Sequence, residues 1–266
     1  MLERIFAARR EAVAELQRHV SLAEMKARSN DAPPTRHFAR TLRQPGRIAI
    51  IAEIKFRSPS AGQLKSYEPV ADLARSYGFN GADALSILTE PEFFGGQLEF
   101  IHQAKQAVRL PVLRKDFLFD PYQVFESRAA GADAILLIAA MLERSALIEL
   151  AGLAAGLGMD VLLELHDESD VEKVVNIPVA MFGVNHRNLR TLSIDLGVSQ
   201  RLFPLLPPHA IRVAESGIDS AAQLMIMKER GADAVLIGTL LMREPSPGEA
   251  LGKLTGVPCG SSSAES

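Results

Sequence analysis

The chain alternates between short apolar runs and longer segments whose apolar residues recur at helical spacing. From residue 48 onward, eight runs rich in Ile, Val, Leu and Ala have the length and composition of β-strands. Helix-forming segments separate these runs, so we expect parallel strands, and eight such strands close into a barrel. The pattern predicts an α/β fold, a (β/α)8 TIM barrel. Its strands are expected at residues 48–55, 84–88, 112–114, 134–138, 161–165, 181–184, 211–214 and 234–237.

The segment before the first strand is predicted to form a helical extension of this barrel. Residues 2 to about 28 are rich in Ala, Leu, Glu and Arg, which predicts one amphipathic helix. Residues 30–34 should end that helix, and a short helix is expected around residues 38–42. We therefore divide the chain into an N-terminal helical extension over 1–47 that caps the barrel, the barrel over 48–256, and a disordered Gly/Ser-rich tail over 257–266.

A four-residue repeat supports this order of helices and strands. Gly-Ala-Asp-Ala occurs at 81–84, 131–134 and 231–234, each time between a helical segment and an apolar run. Glycine suits the end of a helix, and Asp suits the turn into the next strand. We expect these positions to have structural rather than catalytic roles.

The first predicted strand carries charges only at its C-terminal end. Alternation of its side chains leaves one face wholly apolar, whereas the other face carries Glu53 and Lys55. Two buried charges without partners are costly, so this end of the strand should open into a polar cavity. Active sites of parallel barrels lie at that end of the strands.

Polar residues also mark the ends of other predicted strands, and a barrel brings these ends to one rim. Like charges crowded there should lower the pKa of one lysine and raise that of one carboxyl group. Such a pair would supply an acid and a base near neutral pH. The residues concerned are Lys115, Glu164, Asn185, Arg187, Glu215 and Ser216.

Two glycine-containing turns indicate a phosphate group in the ligand. Ser216-Gly217 follows the seventh predicted strand, and Gly238-Thr239 follows the eighth. In barrels of this kind, the backbone N–H groups of these two loops commonly bind phosphate, together with a short extra helix. A short helix from Thr239, interrupted by Pro245, fits that arrangement. The sequence therefore predicts a small phosphorylated substrate.

Composition and charge limit the classes of molecule that the protein is expected to bind. The net charge of −3 indicates neither nucleic-acid nor anionic-membrane binding, and no apolar run approaches the length of a membrane span. The charged N-terminus is unlike a signal peptide, and the single cysteine, Cys259, excludes a disulfide within the chain. These features predict a cytoplasmic protein. His166 and His186 lack the spacing of metal ligands, so no metal is predicted, and the outer helices show no extra apolar stripe, which favours a monomer.

A series of motifs runs in order along nearly the whole chain. They are Ala52-Glu-Ile-Lys55, Ser58-Pro-Ser60, Leu85-Ser-Ile-Leu-Thr-Glu90, Phe94-Gly-Gly96, Leu113-Arg-Lys-Asp-Phe117, Leu163-Glu164 with His166, Gly183-Val-Asn185 with Arg187 and Leu189, Ala214-Glu-Ser-Gly-Ile218 and Leu236-Ile-Gly238. Together they resemble the indole-3-glycerol phosphate synthase family.

The resemblance implies a particular reaction in tryptophan biosynthesis, catalysed by a carbon–carbon lyase. The substrate is 1-(2-carboxyphenylamino)-1-deoxyribulose 5-phosphate, and ring closure with decarboxylation yields indole-3-glycerol phosphate, CO₂ and water. Neither a metal nor an organic cofactor is expected. The implied fold is again a (β/α)8 barrel with an N-terminal helical extension.

The resemblance also implies residue roles. Lys115 resembles the general acid at the substrate carbonyl oxygen, and Lys55 resembles the lysine that holds the carboxylate and assists the later loss of hydroxide. Glu164 and Glu53 match the acid–base carboxylates, although the division of roles within each pair stays open. Asn185 is counted with this catalytic group. The implied substrate-binding residues are Arg187, Glu215 and Ser216 for orientation, Ser58, Gly217, Gly238 and Thr239 near the phosphate, and Phe94, Phe117 and Leu189 around the anthranilate ring.

The chain departs from many members of the family at three positions: Phe56 and Ala61 stand where those members have Lys, and His186 where they have Asn.

Two other functions stay open at this point. One is another phosphosugar barrel enzyme, such as phosphoribosylanthranilate isomerase, although that reaction does not require Glu53 and Lys55 together with Lys115. The other is a non-catalytic barrel that binds a phosphorylated ligand.

Overall fold

A computed structural model describes residues 2–256 of the chain, so the tail predicted at 257–266 lies outside the described residues. Eight parallel strands form a closed barrel, as predicted, in which each strand pairs with its neighbours in the sequence and the first pairs with the last. The strands are β1 (Ala49–Ile54), β2 (Ala84–Leu88), β3 (Val112–Lys115), β4 (Ala134–Ile138), β5 (Asp160–Leu165), β6 (Met181–Asn185), β7 (Ile211–Glu215) and β8 (Ala234–Ile237).

Helices precede the barrel and connect its strands, and among residues 2–256 none is long and apolar enough to cross a membrane. A small antiparallel pair, Arg57–Ser58 with Gly62–Gln63, follows β1. Two short 3₁₀ helices cover Ala139–Met141 and Phe203–Leu205. The α-helices are α1 (Leu2–His19), α2 (Leu22–Asn30), α3 (Phe38–Thr41), α4 (Val70–Phe79), α5 (Pro91–Phe94), α6 (Glu99–Ala107), α7 (Pro121–Ala129), α8 (Arg144–Gly156), α9 (Glu168–Val174), α10 (Gly197–Leu202), α11 (Ala221–Glu229), α12 (Thr239–Arg243) and α13 (Pro247–Thr255).

The prediction of one continuous N-terminal helix is wrong, because α1 and α2 are separate. Ser21 has an extended backbone, and its side chain accepts a hydrogen bond from the Glu24 N–H, so Ser21 caps a new helix. The second helix then packs on α7, where Met25 is buried with Tyr122 and Phe125.

The alternation of side chains in β1 separates two apolar layers. Ile50 and Ile54 belong to the layer between the strands and the outer helices, whereas Ile51 faces the barrel interior. Phe38 and Leu42, from α3 and its C-cap, are fully buried in that interior layer. The short helix therefore closes the N-terminal end of the barrel, and space for a ligand remains at the C-terminal end.

The Gly-Ala-Asp-Ala repeat has the structural role that its position predicts. Gly81, Gly131 and Gly231 all have positive φ angles (95°, 90° and 89°), which glycine adopts without steric cost. Each following Asp accepts a hydrogen bond from a backbone N–H of a neighbouring strand. These bonds are Ile50 N to Asp83 (2.9 Å), Val112 N to Asp133 (2.7 Å) and Arg212 N to Asp233 (2.8 Å).

Candidate active site

A cavity of about 600 Å³ opens at the C-terminal ends of the strands. Its size suits a small organic ligand, and its wall combines charged side chains with aromatic and aliphatic ones. Every site residue named from the sequence lines this cavity. They are Glu53, Lys55, Ser58, Phe94, Lys115, Phe117, Glu164, Asn185, Arg187, Leu189, Glu215, Ser216, Gly217, Gly238 and Thr239.

One ion pair of the cavity comes from the end of β1. Lys55 Nζ lies 2.6 Å from Glu53 Oε1, and both side chains are largely buried. Ser86 on β2 donates a long hydrogen bond of 3.5 Å to the other oxygen, Glu53 Oε2. Gly238 leaves the space for this carboxylate, because a Cβ at that position would clash with Glu53 Oε1.

A second cluster forms around Lys115 at the end of β3. Its ammonium group lies 2.9 Å from Glu164 Oε2 and also donates to Glu215 Oε2. Asn185 donates from Nδ2 to Glu164 Oε1 at 3.1 Å. Three strands thus hold two buried carboxyl groups around one ammonium group, which is an arrangement suited to proton transfer.

The electrostatics of this cluster differ from the expectation for its lysine. Burial alone would lower the pKa of Lys115, but Glu164 and Glu215 raise it well above its usual range. The predicted lowering of a lysine pKa is therefore wrong for Lys115, because the charges facing it are carboxylates rather than cations. Its ammonium form is the resting state.

The pKa values of the two carboxyl groups of the cluster are shifted in opposite directions. Burial, with a further contribution from Glu164, raises the pKa of Glu215 to about 7 against the lowering effect of Lys115. Burial also disfavours the charged form of Glu164, but Lys115 and His166 hold its pKa below its usual range. The expected raised carboxyl pKa is thus confirmed at Glu215, while Glu164 is the permanent anion.

His166 belongs to this cluster, although the sequence analysis, which noted it beside Glu164, gave it no role in the site. Its Nε2 lies 3.2 Å from Glu164 Oε1, and its Nδ1 lies 3.6 Å from Asp170 Oδ2. Burial lowers the pKa of His166, but the two carboxylates raise it to about 9. The signal available in the sequence was its position two residues after Glu164, on the same side of the extended chain.

Gly183 on β6 is a second residue that sequence reasoning missed as part of the site. A Cβ at Gly183 would clash with Glu215 Oε1, so this glycine makes room for the carboxyl group. A glycine inside an apolar strand is the sequence signal for such a close approach. Among residues 2–256, no group of three or more His, Cys, Asp or Glu residues could hold a metal ion.

Backbone N–H groups and guanidinium groups also line this cavity, at the turns after β7 and β8 and at residues 187 and 243. Within residues 2–256, the N–H groups of Gly217, Gly238 and Thr239 donate to no protein acceptor. Arg187 and Arg243 also line this cavity, and burial lowers the pKa of Arg187 with a further contribution from Arg243. Arg243 was not predicted from the sequence. Free N–H donors beside two guanidinium groups favour an anion such as phosphate.

Part of the cavity lining is apolar and comes from the segments that follow β2 and β3. The rings of Phe94 and Phe117 have centroids 5.9 Å apart at an interplanar angle of 41°. Leu189, from the segment after β6, and Ile5 also line the cavity, so the N-terminal helix contributes to its lining. This surface suits an aromatic ring.

A closed parallel barrel with clustered acids and bases beside an anion-accepting edge defines the class of phosphate-binding TIM-barrel enzymes. Comparison with known families is more specific. The model described as indole-3-glycerol phosphate synthase matches residues 2–254, nearly the whole chain. The chain therefore belongs to the indole-3-glycerol phosphate synthase family, which acts in tryptophan biosynthesis.

Solved structures with similar folds include other barrel proteins at low sequence identity. A 3-hexulose-6-phosphate synthase aligns with a TM-score of 0.62 and 14% identity over 79% of this chain and 99% of that one. A mutant tryptophan synthase α-subunit from Pyrococcus furiosus gives 0.60 and 11% over 78% and 98%. Thiamine phosphate pyrophosphorylase from the same organism gives 0.59 and 12% over 79% and 94%. At such identities the likeness concerns the fold alone.

Proposed function

We propose that the protein is an indole-3-glycerol phosphate synthase that converts 1-(2-carboxyphenylamino)-1-deoxyribulose 5-phosphate to indole-3-glycerol phosphate, CO₂ and water. The observation that carries this proposal is the presence of two separate lysine–carboxylate groups in one cavity, Lys115 with Glu164 and Lys55 with Glu53. Ring closure and dehydration each need an acid, and the dehydration also needs a base. Two such groups can serve the two steps in turn.

In the first step, the ring carbon that bears the carboxylate attacks the substrate carbonyl carbon. A carbon–carbon bond forms, and the carbonyl oxygen takes a proton from Lys115. The anilino nitrogen becomes electron-poor during this attack, and the anionic Glu164 stabilises the developing positive charge. Glu215, with its pKa raised by burial to about 7, can return a proton to Lys115 near neutral pH.

In the second step, the carbon–carbon bond to the carboxylate breaks and CO₂ leaves, so its electron pair returns to the ring system. A carboxylate loses CO₂ more readily when it moves from water to a less polar environment. The wall formed by Phe94, Phe117 and Leu189 provides that environment.

In the last step, hydroxide departs as water after protonation, and a proton leaves the neighbouring carbon to complete the indole ring. We assign the acid to Lys55 and the base to Glu53 or Glu164, since Lys115 is neutral after the first step until it is reprotonated. The substrate phosphate occupies the edge lined by Ser58 and by the N–H groups of Gly217, Gly238 and Thr239. Arg187, Asn185 and Ser216 then orient the sugar chain.

The test is indole fluorescence after the purified protein is mixed with this substrate, with and without EDTA. A rise in fluorescence that EDTA does not alter supports the reaction and its independence from a removable metal. Turnover of phosphoribosylanthranilate instead would favour the isomerase. Binding of the substrate without any turnover would favour a non-catalytic barrel.

The monomeric state and cytoplasmic location predicted from the sequence stay predictions, and gel filtration with light scattering tests the former.

A further inference from the structure

His186 is a fully enclosed histidine beside the site that the proposed reaction does not use. It follows Asn185 at the end of β6, and only 1% of its surface is exposed. It does not line the cavity, although Asn185 and Arg187 on either side of it do. A buried polar side chain at such a position requires partners for both ring nitrogens.

The hydrogen bonds of His186 define its protonation. Its Nδ1 lies 2.9 Å from the carbonyl oxygen of Ser216, which can only accept, so Nδ1 carries a hydrogen. Its Nε2 lies 2.8 Å from Ser199 Oγ, whose hydroxyl also lies 3.2 Å from the Leu196 carbonyl oxygen, and in the neutral ring Nε2 accepts from this hydroxyl. Burial lowers the pKa of His186, which favours this neutral form.

His186 therefore binds two consecutive carbonyl groups at the end of β7. Its backbone N–H donates to the carbonyl of Glu215 at 2.9 Å, and its ring donates to that of Ser216. Ser216 has a φ angle of 67°, a left-handed conformation that is rare and costly for residues other than glycine. A hydrogen bond to its carbonyl group stabilises this conformation.

The orientation of the next peptide group follows from that bond. The described chain contains no cis peptide, so the Gly217 N–H points away from the Ser216 carbonyl and hence away from His186. Gly217 lines the cavity and its N–H has no protein acceptor within residues 2–256. Binding of the Ser216 carbonyl by His186 thus directs a free N–H donor towards the cavity.

We propose that His186 is a positioning residue that presents the Gly217 N–H to a phosphate monoester, and that Ser199 holds the imidazole in the required tautomer. This inference rests on the proposed function for the identity of the ligand. Within that function, His186 acts on phosphate affinity rather than on the proton transfers at Lys115.

The test compares His186→Asn with His186→Leu, two side chains of nearly the same shape. Asn retains a donor for the Ser216 carbonyl, whereas Leu has none. We expect the Asn variant to bind inorganic phosphate within about threefold of the wild-type affinity. The Leu variant should bind roughly five- to tenfold more weakly, the size of one net hydrogen bond. Binding is measured by ³¹P NMR titration, and folding by circular dichroism and thermal unfolding.

A steady-state measurement separates positioning from a general structural defect. For the Leu variant, KM for the phosphorylated substrate should rise by the same factor as the phosphate dissociation constant, while kcat changes less than about threefold. If the Leu variant does not fold, Ser199→Ala provides the comparison, because it releases Nε2 and should weaken phosphate binding roughly fivefold, beyond the threefold range allowed for the Asn variant.

The possible failures are distinguishable. The role of His186 is overturned if the Asn and Leu variants bind phosphate with equal affinity. It is also overturned if Ser199→Ala, used when the Leu variant does not fold, binds phosphate as tightly as the wild type. Neither result affects the proposed reaction. Absence of phosphate binding by the wild-type protein also overturns it. A third outcome is that the wild-type protein produces no indole while the Leu variant still binds phosphate more weakly than the wild type. That result supports the role of His186 and overturns the proposed reaction.

Discussion

In the proposed reaction, ring closure depends on one ammonium group, that of Lys115. It is enclosed by Glu164 and Glu215, and these carboxyl groups keep it protonated despite its burial. Lys115→Met removes the proton donor while preserving the length and apolar part of the side chain. We expect kcat to fall roughly a hundredfold or more, the usual contribution of a general acid. Steady-state indole fluorescence measures this loss.

Lys228→Met is the matched control, because the Lys228 ammonium group binds the carbonyl of Gly46 at the other end of the barrel. That variant should retain the wild-type kcat. A loss below about tenfold in Lys115→Met would assign the acid of ring closure to another residue.

His166 provides a prediction about pH. Its pKa, raised from its usual value to about 9 by Asp170 and Glu164 against the effect of burial, is higher in the folded than in the unfolded chain. Its contribution to stability is therefore fully present below about pH 6.5 and is lost as pH rises through 9. The free energy of unfolding should fall over this interval by on the order of 3 kcal/mol more in the wild type than in His166→Gln.

Urea unfolding at closely spaced pH values measures this difference. His102→Gln is the control, since His102 is exposed on α6 and its ring shares a hydrogen bond with Gln106 rather than with a carboxylate. Its stability curve should run parallel to that of the wild type. If the curve of His166→Gln also runs parallel to that of the wild type, folding does not raise the pKa of His166.

Strand positions were predictable to within one residue at each end, because each depends on the local pattern of apolar residues. Alternation in β1 places Glu53 on the inner face and Ile54 on the outer one, and a one-residue error would have exchanged them. The break between α1 and α2 was missed, since Ser21 is a weak signal inside a region of helix-forming residues. Its capping bond decides the local structure.

Contacts between elements distant in the chain were harder to foresee. His166 was known to share a strand face with Glu164, but its charge depends on Asp170, a residue of α9 whose side chain turns back towards the barrel. The direction of the pKa shift of Lys115 could not be predicted, because it depends on whether cations or carboxylates lie nearest to the ammonium group. That choice is made by the packing of β3 against strands much later in the sequence.

The close approach of β6 and β7 yields a prediction at the level of these two strands. Gly183→Ala would place a methyl group against Glu215 Oε1 and displace the carboxyl group from Lys115. Displacements of about 1 Å at a catalytic group lower rates by up to roughly a hundredfold, so we expect a loss in kcat between about tenfold and a hundredfold.

Gly152→Ala tests whether any added methyl group has this effect. Gly152 lies in the exposed face of α8, and no atom lies within 4 Å of a Cβ built there. This control should keep full activity and gain roughly 0.5–1 kcal/mol of stability from helix propensity. Wild-type kcat in Gly183→Ala would show that the position of Glu215 is not important for turnover.

At the level of the whole molecule, a buried ion-pair network joins the N-terminal helix to the barrel. Arg9 of α1 lies 2.9 Å from Asp116, which follows directly after Lys115. Asp116 also accepts from Arg114 and Thr89, at 2.9 and 2.6 Å. Burial raises the pKa of Asp116, but the two arginines lower it below its usual range, so the network holds a buried carboxylate in place.

This network makes the N-terminal helix part of the site, because Ile5 lines the cavity one helical turn before Arg9. Arg9→Met should destabilise the protein by about 2 kcal/mol, less than the full cost of a broken buried pair because Arg114 still partners Asp116. It should also raise KM more than it lowers kcat, since α1 forms a wall of the cavity. Arg4→Met, at an exposed position on the same helix, should change neither quantity. Urea unfolding and steady-state kinetics on both variants distinguish two roles of α1. Lower stability of Arg9→Met with an unchanged KM would mean that α1 only stabilises the barrel. Lower stability together with a higher KM would mean that α1 also contacts the substrate.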